Sequence, residues 1–302
     1  MDTKARILQL KKEKDAVILA HYYVPDEVQE IADYIGDSFY LSKVATGISA
    51  QTIVFCGVSF MGESAKILNP DKVILMPDET ADCPMAHMAD VDKIKLVRSR
   101  YEDVAVVCYI NSTAELKMHA DVCVTSANAV KIVKALPNKN IYFIPDGNLG
   151  RYVAGRVSGK KFIFNDGFCP IHHRLTAKEV EISKEKYPQA EFLVHPECRT
   201  DVLELADYIG STSGIIDYAT SSDRKEFIIG TEKGVLYELK KKNPDKTFHL
   251  VSDKMTCEDM KKVTIDKVLR ALEHMNYEVL VTDEVRSQAN RSLNRMLELG
   301  SR

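Results

Sequence analysis

The sequence predicts an α/β protein made of three homologous α/β/α units, each a parallel sheet covered by helices, in a pseudo-threefold arrangement around a central cavity. Three observations lead there. The phrase "ADYIGDS" (32–38) returns as "ADVCVTS" (120–126) and "ADYIGSTS" (206–213). Its aspartates, Asp33, Asp121 and Asp207, stand 88 and then 86 residues apart, a period that marks an internal repeat. Around each aspartate, β-branched apolar runs alternate with polar, helix-compatible stretches, the pattern of parallel strands covered by helices. One cysteine then follows each aspartate at nearly one offset, 50, 48 and 50 residues on: Cys83, Cys169 and Cys257.

The elements of one unit can be read in order. A charged amphipathic stretch, "ARILQLKKEKD", opens the chain as a helix. The first strands are "AVILAHYY" ending at Tyr23, "VAVVCYIN" ending at Asn111 and "AEFLVHPE" ending at Glu197, each apolar enough for a buried parallel strand. Helix-compatible segments follow, the first with Pro25 at its start. Short second strands come next, "YIG" and "VCV" among them. Ser38, Ser126 and Thr212 then stand where a capping hydroxyl is expected at the next helix N-terminus. Third strands are "TIVFCGV", "IYFIPD" and "EFIIGT", and strands such as "KVILMPD" and "TFHLVSD" end the unit. Matching helices lie between units: "ADVDKIKLVRSRY", "TAKEVEISKEKY" and "TIDKVLRALEHMNY". The expected domains are 1–88, 89–174 and 175–302, with the segment after Glu278 as a C-terminal capping helix. No linker rich in Gly, Pro or Ser separates them, so tight packing is expected.

Composition narrows the function. Among 302 residues, 45% are hydrophobic and 28% charged, ordinary for a globular chain. A net charge of −3 argues against a general nucleic-acid binder, and the run Leu239–Lys242 reads as a solvated helix face. No apolar run reaches the roughly 18 residues of a membrane span. Seven cysteines with no secretory signal suggest a cytoplasmic chain whose cysteines are ligands, catalysts or core.

Counting from each aspartate places polar residues in sets. Twelve residues upstream lie His21, Tyr109 and His195; ten upstream lie Tyr23, Asn111 and Glu197; five downstream lie Ser38, Ser126 and Thr212. Residues two apart on a strand share a face, and strand carboxyl ends are where open α/β sheets place ligands. Helix N-termini suit carboxylate or phosphate. A lone strand-end histidine reads as structural and a lone serine as a cap; recurrence of several polar types at fixed offsets points instead to one shared anion-binding pocket. Asp33, Asp121 and Asp207 read as anchors of the turn after a helix.

Three cysteines converging from three units would form a metal site lacking a fourth protein ligand. Structural zinc favours four closed ligands, often in C-x-x-C pairs, and this chain has no such pair, which disfavours zinc. A [4Fe–4S] cluster held by three cysteines keeps one iron open as a Lewis acid. Cys56, Cys108 and Cys123 sit in apolar strands and read as core, while Cys198 follows Glu197 and borders the expected pocket.

The motifs "ILAHYY", "IADYIGDS", "YINSTAELK", "TSANA", "CPIH", "VHPEC" and "GSTSG" together resemble the quinolinate synthase family across about residues 5–275. The resemblance implies three α/β/α units around a [4Fe–4S] cluster held by Cys83, Cys169 and Cys257. It implies condensation of iminoaspartate with dihydroxyacetone phosphate to quinolinate, with loss of phosphate and water, in NAD biosynthesis. An enzyme supplying iminoaspartate would be a partner. Residues matching the family's substrate pocket are His21, Tyr23, Ser38, Tyr109, Asn111, Ser126, His195, Glu197 and Thr212, with Ser211 as a neighbour and His172 of "CPIH" near the cluster. Tyr23, Glu197, His195 and His21 are the candidates for moving protons. Relatives often read "HNY" where this chain has "HYY"; Tyr22 should point to the other face. Two other readings remain open at this point: a non-catalytic iron–sulfur sensor of dicarboxylates, and a different iron–sulfur hydro-lyase.

Overall fold

The computed structural model describes residues 2–301, so residues 1 and 302, the outer limits of the expected first and third units, lie outside the described residues. Strands β1 (Ala16–His21), β2 (Tyr34–Gly36), β3 (Thr52–Cys56) and β4 (Val73–Leu75) form the first sheet. Strands β5 (Val104–Tyr109), β6 (Val122–Val124), β7 (Asn140–Ile144) and β8 (Lys161–Phe164) form the second. Strands β9 (Glu191–Val194), β10 (Tyr208–Ile209), β11 (Glu226–Gly230) and β12 (Thr247–Leu250) form the third. The orders are β2-β1-β3-β4, β6-β5-β7-β8 and β10-β9-β11-β12, and every pairing is parallel. The period in the sequence is thus a period in topology.

The repeated aspartate is a device for building that topology. Asp33 accepts the Ile18 N–H at 2.8 Å and its own N–H donates to the Ile18 carbonyl at 2.9 Å. Asp121 does the same with Val106 (2.7 and 2.9 Å) and Asp207 with Phe192 (2.7 and 3.0 Å). Each carboxylate therefore stands in for a strand carbonyl and extends the ladder by one rung before β2, β6 or β10 begins. A cation from the preceding helix holds each one: Lys11 at 2.6 Å, Arg98 at 2.8 Å and Lys184 at 3.3 Å. Those helices, Thr3–Glu13, Val91–Arg100 and Ala177–Lys186, occupy one place in the repeat. Asp121→Ala leaves the Val106 N–H without its acceptor, and we expect a loss of about 1–3 kcal/mol. Denaturant unfolding of Asp121→Ala beside Asp121→Asn, which keeps an acceptor oxygen, checks this.

The interior is not divided as evenly as the sheets. The first two units share one continuous apolar cluster, whereas the third sheet has a separate cluster on each face. The helix Ile265–His274, after the third unit, packs on the opening helix Thr3–Glu13. A bridge from Glu278 to Leu75 adds an antiparallel edge to the first sheet. The last helix, Asp283–Ser301, lies across the first and second units and buries Ala289, Leu293 and Met296 in their shared cluster. Each fully buried large apolar side chain is worth about 1.5–3 kcal/mol, so this helix clamps the two units together. Among the described residues no helix is long and apolar enough to cross a membrane.

Candidate active site

A cavity of about 270 Å³ opens beyond the carboxyl ends of the strands. The first unit contributes His21, Tyr23, Ser38 and Cys83; the second Tyr109, Asn111, Ser126, Cys169 and His172; the third His195, Glu197, Thr212 and Cys257. Of the residues matched to the substrate pocket or the cluster, only Ser211 is absent from the lining, and Cys198, expected to border the pocket, does not reach it. The Ser211 hydroxyl accepts the Gly214 N–H at 3.1 Å, which makes it the cap of the helix Thr212–Ser221. Cys198 is fully buried in the core of the third unit, outside the lining. Tyr22 packs away from the cavity among Leu193, Ile215 and Phe227.

Local structure departs from expectation in two ways. The first strands stop earlier than their apolar runs: β1 ends at His21, β5 at Tyr109 and β9 at Val194. The backbone turns there, with Val24 N–H reaching the His21 carbonyl and Cys198 N–H the His195 carbonyl. Tyr23, Asn111 and Glu197 therefore sit in the turn and not on the strand. The turn fixes the rings: Tyr23 N–H donates to His21 Nδ1 at 3.2 Å and Glu197 N–H to His195 Nδ1 at 3.4 Å. An accepting Nδ1 leaves Nε2 as the protonated nitrogen of a neutral imidazole. The second departure concerns the caps. Asp37 and Ser211 cap their helices, so Ser38 and Thr212 are first helical residues, and Ser126 lies in the turn before the helix Ala129–Ala135. The helix turn starts one residue early because the preceding residue also carries a capping oxygen.

A chain of hydrogen bonds runs through the cavity wall. Tyr23 Oη lies 2.8 Å from Thr212 Oγ1 and 2.7 Å from Thr231 Oγ1. Thr231 Oγ1 lies 2.9 Å from His172 Nε2, and His172 Nδ1 is 2.7 Å from Glu197 Oε2. His195 stacks on His172 with ring centroids 4.7 Å apart, and its Nε2 is 3.1 Å from Ser126 Oγ. Three buried oxygens of cavity-lining residues, Glu197 Oε1, Asn111 Oδ1 and Thr125 Oγ1, have no hydrogen-bond partner among the described residues.

The electrostatics give each group a state. Burial pushes His21 down to about 3, assisted by His195 and Lys261. Burial likewise pushes His172 down, against the pull of Glu197. Burial opposes charge on Glu197, but the His195 and His172 imidazoles hold its pKa well below the ordinary value. Burial and then the Glu197 charge push the phenols of Tyr23 and Tyr109 well up. Burial and neighbours thus favour the ionised form of Glu197, the neutral forms of the His21 and His172 imidazoles and the neutral forms of the two phenols. A neutral His172 donates from Nδ1 to Glu197 and accepts at Nε2 from Thr231, which in turn accepts from Tyr23.

The three cysteines share one local design. Each is the residue before a single helical turn: Cys83 before Pro84–His87, Cys169 before Pro170–His173, Cys257 before Glu258–Lys261. Each has extended backbone, and each sulfur meets the N–H of the residue three further on, Ala86, His172 or Met260. Burial raises all three thiols, Cys257 to about 11. Cys169, His172 and Glu197 also bring one ligand atom each within 4.8 Å of one another, a group able to hold a metal ion.

Thr231, Glu232 and Lys261 belong to this region and were not anticipated. Thr231 links Tyr23 to His172, and Glu232 lines the cavity with Lys261 at 3.0 Å. At the corresponding places the first two units have Gly57 and Val58, then Pro145 and Asp146, so a carboxylate recurs in the second unit alone and no residue type recurs in all three.

Comparison with known proteins agrees with the geometry. The chain is 51% identical over 298 residues to the quinolinate synthase of Clostridioides difficile, covering 99% of this chain and 98% of the relative. It is 52% identical over 296 residues to that of Fusobacterium nucleatum (98% and 99% covered) and 48% identical over 297 residues to quinolinate synthase 1 of Methanosarcina acetivorans (98% and 98%). The family described as quinolinate synthetase A protein matches residues 5–298, and the chain belongs to that family.

Proposed function

We propose that the protein is a quinolinate synthase that condenses iminoaspartate with dihydroxyacetone phosphate, releasing phosphate and water. The observation that carries this reading is the meeting of one cysteine from each repeat with an ionised glutamate and neutral imidazoles and phenols in one cavity. The donor set suits a [4Fe–4S] cluster: three thiols in one repeated loop geometry, each with a backbone N–H toward its sulfur, and no fourth cysteine among the lining residues. Cys83, Cys169 and Cys257 would hold it, and when bound it supplies a Lewis-acidic iron.

The chain's own residues supply the rest. Ser38, Ser126, Asn111 and Thr212 offer hydroxyl and amide donors to carboxylate and phosphate oxygens. The unpartnered Glu197 Oε1 is free to take a proton from a substrate carbon or nitrogen, because only Oε2 is engaged by His172. The hydrogen bonds run from the Tyr23 phenol through Thr231 and His172 to Glu197, so this chain holds the phenol and the carboxylate in fixed orientation, and each exchanges its own proton with substrate at its end of the cavity. His21, neutral with its proton on Nε2, positions an oxygen without adding charge. Ser211 acts through the Thr212 helix and not by contact. The expected division at 88 and 174 places one of the three cavity cysteines in each unit, which supports it.

The test is anaerobic purification with iron and sulfide analysis, then incubation with both substrates and detection of quinolinate. Turnover of a different acid, or binding with no turnover, would replace this reading with the hydro-lyase or the sensor. Tyr23→Phe keeps the ring packing and removes the phenol. We expect turnover about a hundredfold or more lower with unchanged cluster absorption, the range of a lost acid–base group. A loss of about tenfold or less would reduce Tyr23 to a hydrogen-bonding role.

A further inference from the structure

The geometry points to Glu232, together with Lys261, as a positioning pair that sets the Cys257 loop and the Tyr23 turn in register; it rests on the assignment of Cys257 as a cluster ligand and Tyr23 as a proton donor. Glu232 is fully buried. Its Oε1 accepts the Cys257 N–H at 3.1 Å and lies 3.0 Å from Lys261 Nζ. Its Oε2 accepts the Gly234 N–H at 2.7 Å and lies 3.2 Å from the same ammonium. An ionised carboxylate offers about four acceptor positions, and four contacts from three donor groups occupy them. Glu232 lines the cavity, yet it has no free lone pair to offer a substrate. Glu197 is its opposite, with an unpartnered oxygen in the same cavity.

The other end of the pair reaches the first unit. Lys261 Nζ also donates to the Tyr23 carbonyl. Gly234 carries the contact further: its carbonyl accepts from Gln29 Nε2 at 3.1 Å, and Gln29 Nε2 also donates to the Tyr22 carbonyl at 2.9 Å. A Cβ on Gly234 would stand 2.6 Å from the Tyr22 oxygen, so only glycine allows this approach. One buried carboxylate therefore ties a cysteine amide of the third unit to the turn that presents Tyr23 in the first. Thr231, its chain neighbour, makes a side-chain link between the same two units through the Tyr23 hydroxyl, beside that of Thr212. The second unit puts Asp146 at the matching place, facing the Cys169 amide, but Asp146 caps its own helix and has no lysine partner among the described residues. The first unit has Val58 there.

Hydrogen exchange on the cluster-free full chain reads the pair without reference to turnover. In Glu232→Leu the segment 255–262 should exchange about tenfold or more faster than in the parent, the factor carried by a lost hydrogen bond to a charged group. In Lys261→Met the segment 21–24 should quicken instead. On reconstituted protein, Glu232→Leu should release iron to a chelator about tenfold or more faster, whereas Lys261→Met should keep its iron and lose turnover per cluster at unchanged KM. Glu232→Gln keeps one acceptor oxygen and should fall between parent and Glu232→Leu, so it carries the test if the leucine variant does not fold. Unchanged exchange in both segments, or parental iron release in the Glu232 variants, would overturn the assignment. A parent that holds no iron while exchange still responds as stated would sink the cluster reading and leave the mechanical pairing standing.

Discussion

Cys83→Ser, Cys169→Ser and Cys257→Ser should each lose the iron–sulfur absorption and all measurable quinolinate formation, while Cys56→Ala, Cys108→Ala and Cys123→Ala should keep both. The two sets differ in environment and not in residue type. The first three line the cavity and each precedes a helical turn whose third N–H meets the sulfur. Such N–H contacts favour a thiolate, but burial outweighs them and leaves all three thiols raised in the ligand-free protein. A cysteine binds iron as the thiolate, so cluster uptake must release a proton from each. Serine cannot supply a thiolate at any pH, so removing one of three ligands removes the site. Cys56 is fully buried in β3 and has only desolvation acting on it. Cys108 and Cys123 face each other across β5 and β6, and the Cys123 thiol donates to Ser292 on the last helix. Their loss would cost packing and not iron. Iron and sulfide content of the six variants after anaerobic reconstitution decides the matter; full cluster in any serine variant would exclude that residue as a ligand.

The repeat made much of this legible in the sequence, for a physical reason. A unit written three times must bury the same faces and turn at the same places, so Asp33, Asp121 and Asp207 mark the same ladder rung each time. Polar residues kept at fixed offsets from that rung, such as His21, Tyr109 and His195, then emerge at equivalent strand ends. What the repeat does not encode stayed hidden. Thr231, Glu232 and Lys261 act between the third unit and the first, and a contact made once has no period. The caps were misplaced by one residue because Asp37–Ser38 and Ser211–Thr212 each offer two adjacent capping oxygens, and propensity does not choose between neighbours. Tyr23 and Asn111 read as strand because aromatic and β-branched runs continue past the point where the chain turns. The shared core of the first two units depends on the last helix, which has no counterpart in the repeat.

Glu197→Gln should leave the fold, the cluster absorption and KM close to the parent and lower kcat by about 10²–10⁴-fold. The substitution is nearly isosteric, and its effect depends on which oxygen matters. The amide oxygen can take the place of Oε2 and still accept from His172 Nδ1, 2.7 Å away in the parent. The amide nitrogen then occupies the place of Oε1, which has no hydrogen-bond partner among the described residues. Packing, the stacked His172–His195 pair and the link through Thr231 to Tyr23 all survive. What disappears is a negatively charged oxygen facing the cavity and able to accept a proton. If Glu197 served only to orient the two imidazoles, the amide would do nearly as well, and the loss would stay near the roughly tenfold worth of one weakened hydrogen bond. Glu197→Asp makes the complementary change: the charge remains, but a shorter side chain draws the carboxylate back from His172. A base must lie within hydrogen-bond reach of its proton, so the aspartate variant should also be impaired, but less than the amide. If instead the aspartate variant were dead and the amide variant active, reach to His172 and not charge would be the requirement, and the proton would have to be taken by another group, with His195, 3.3 Å from Glu197, a candidate.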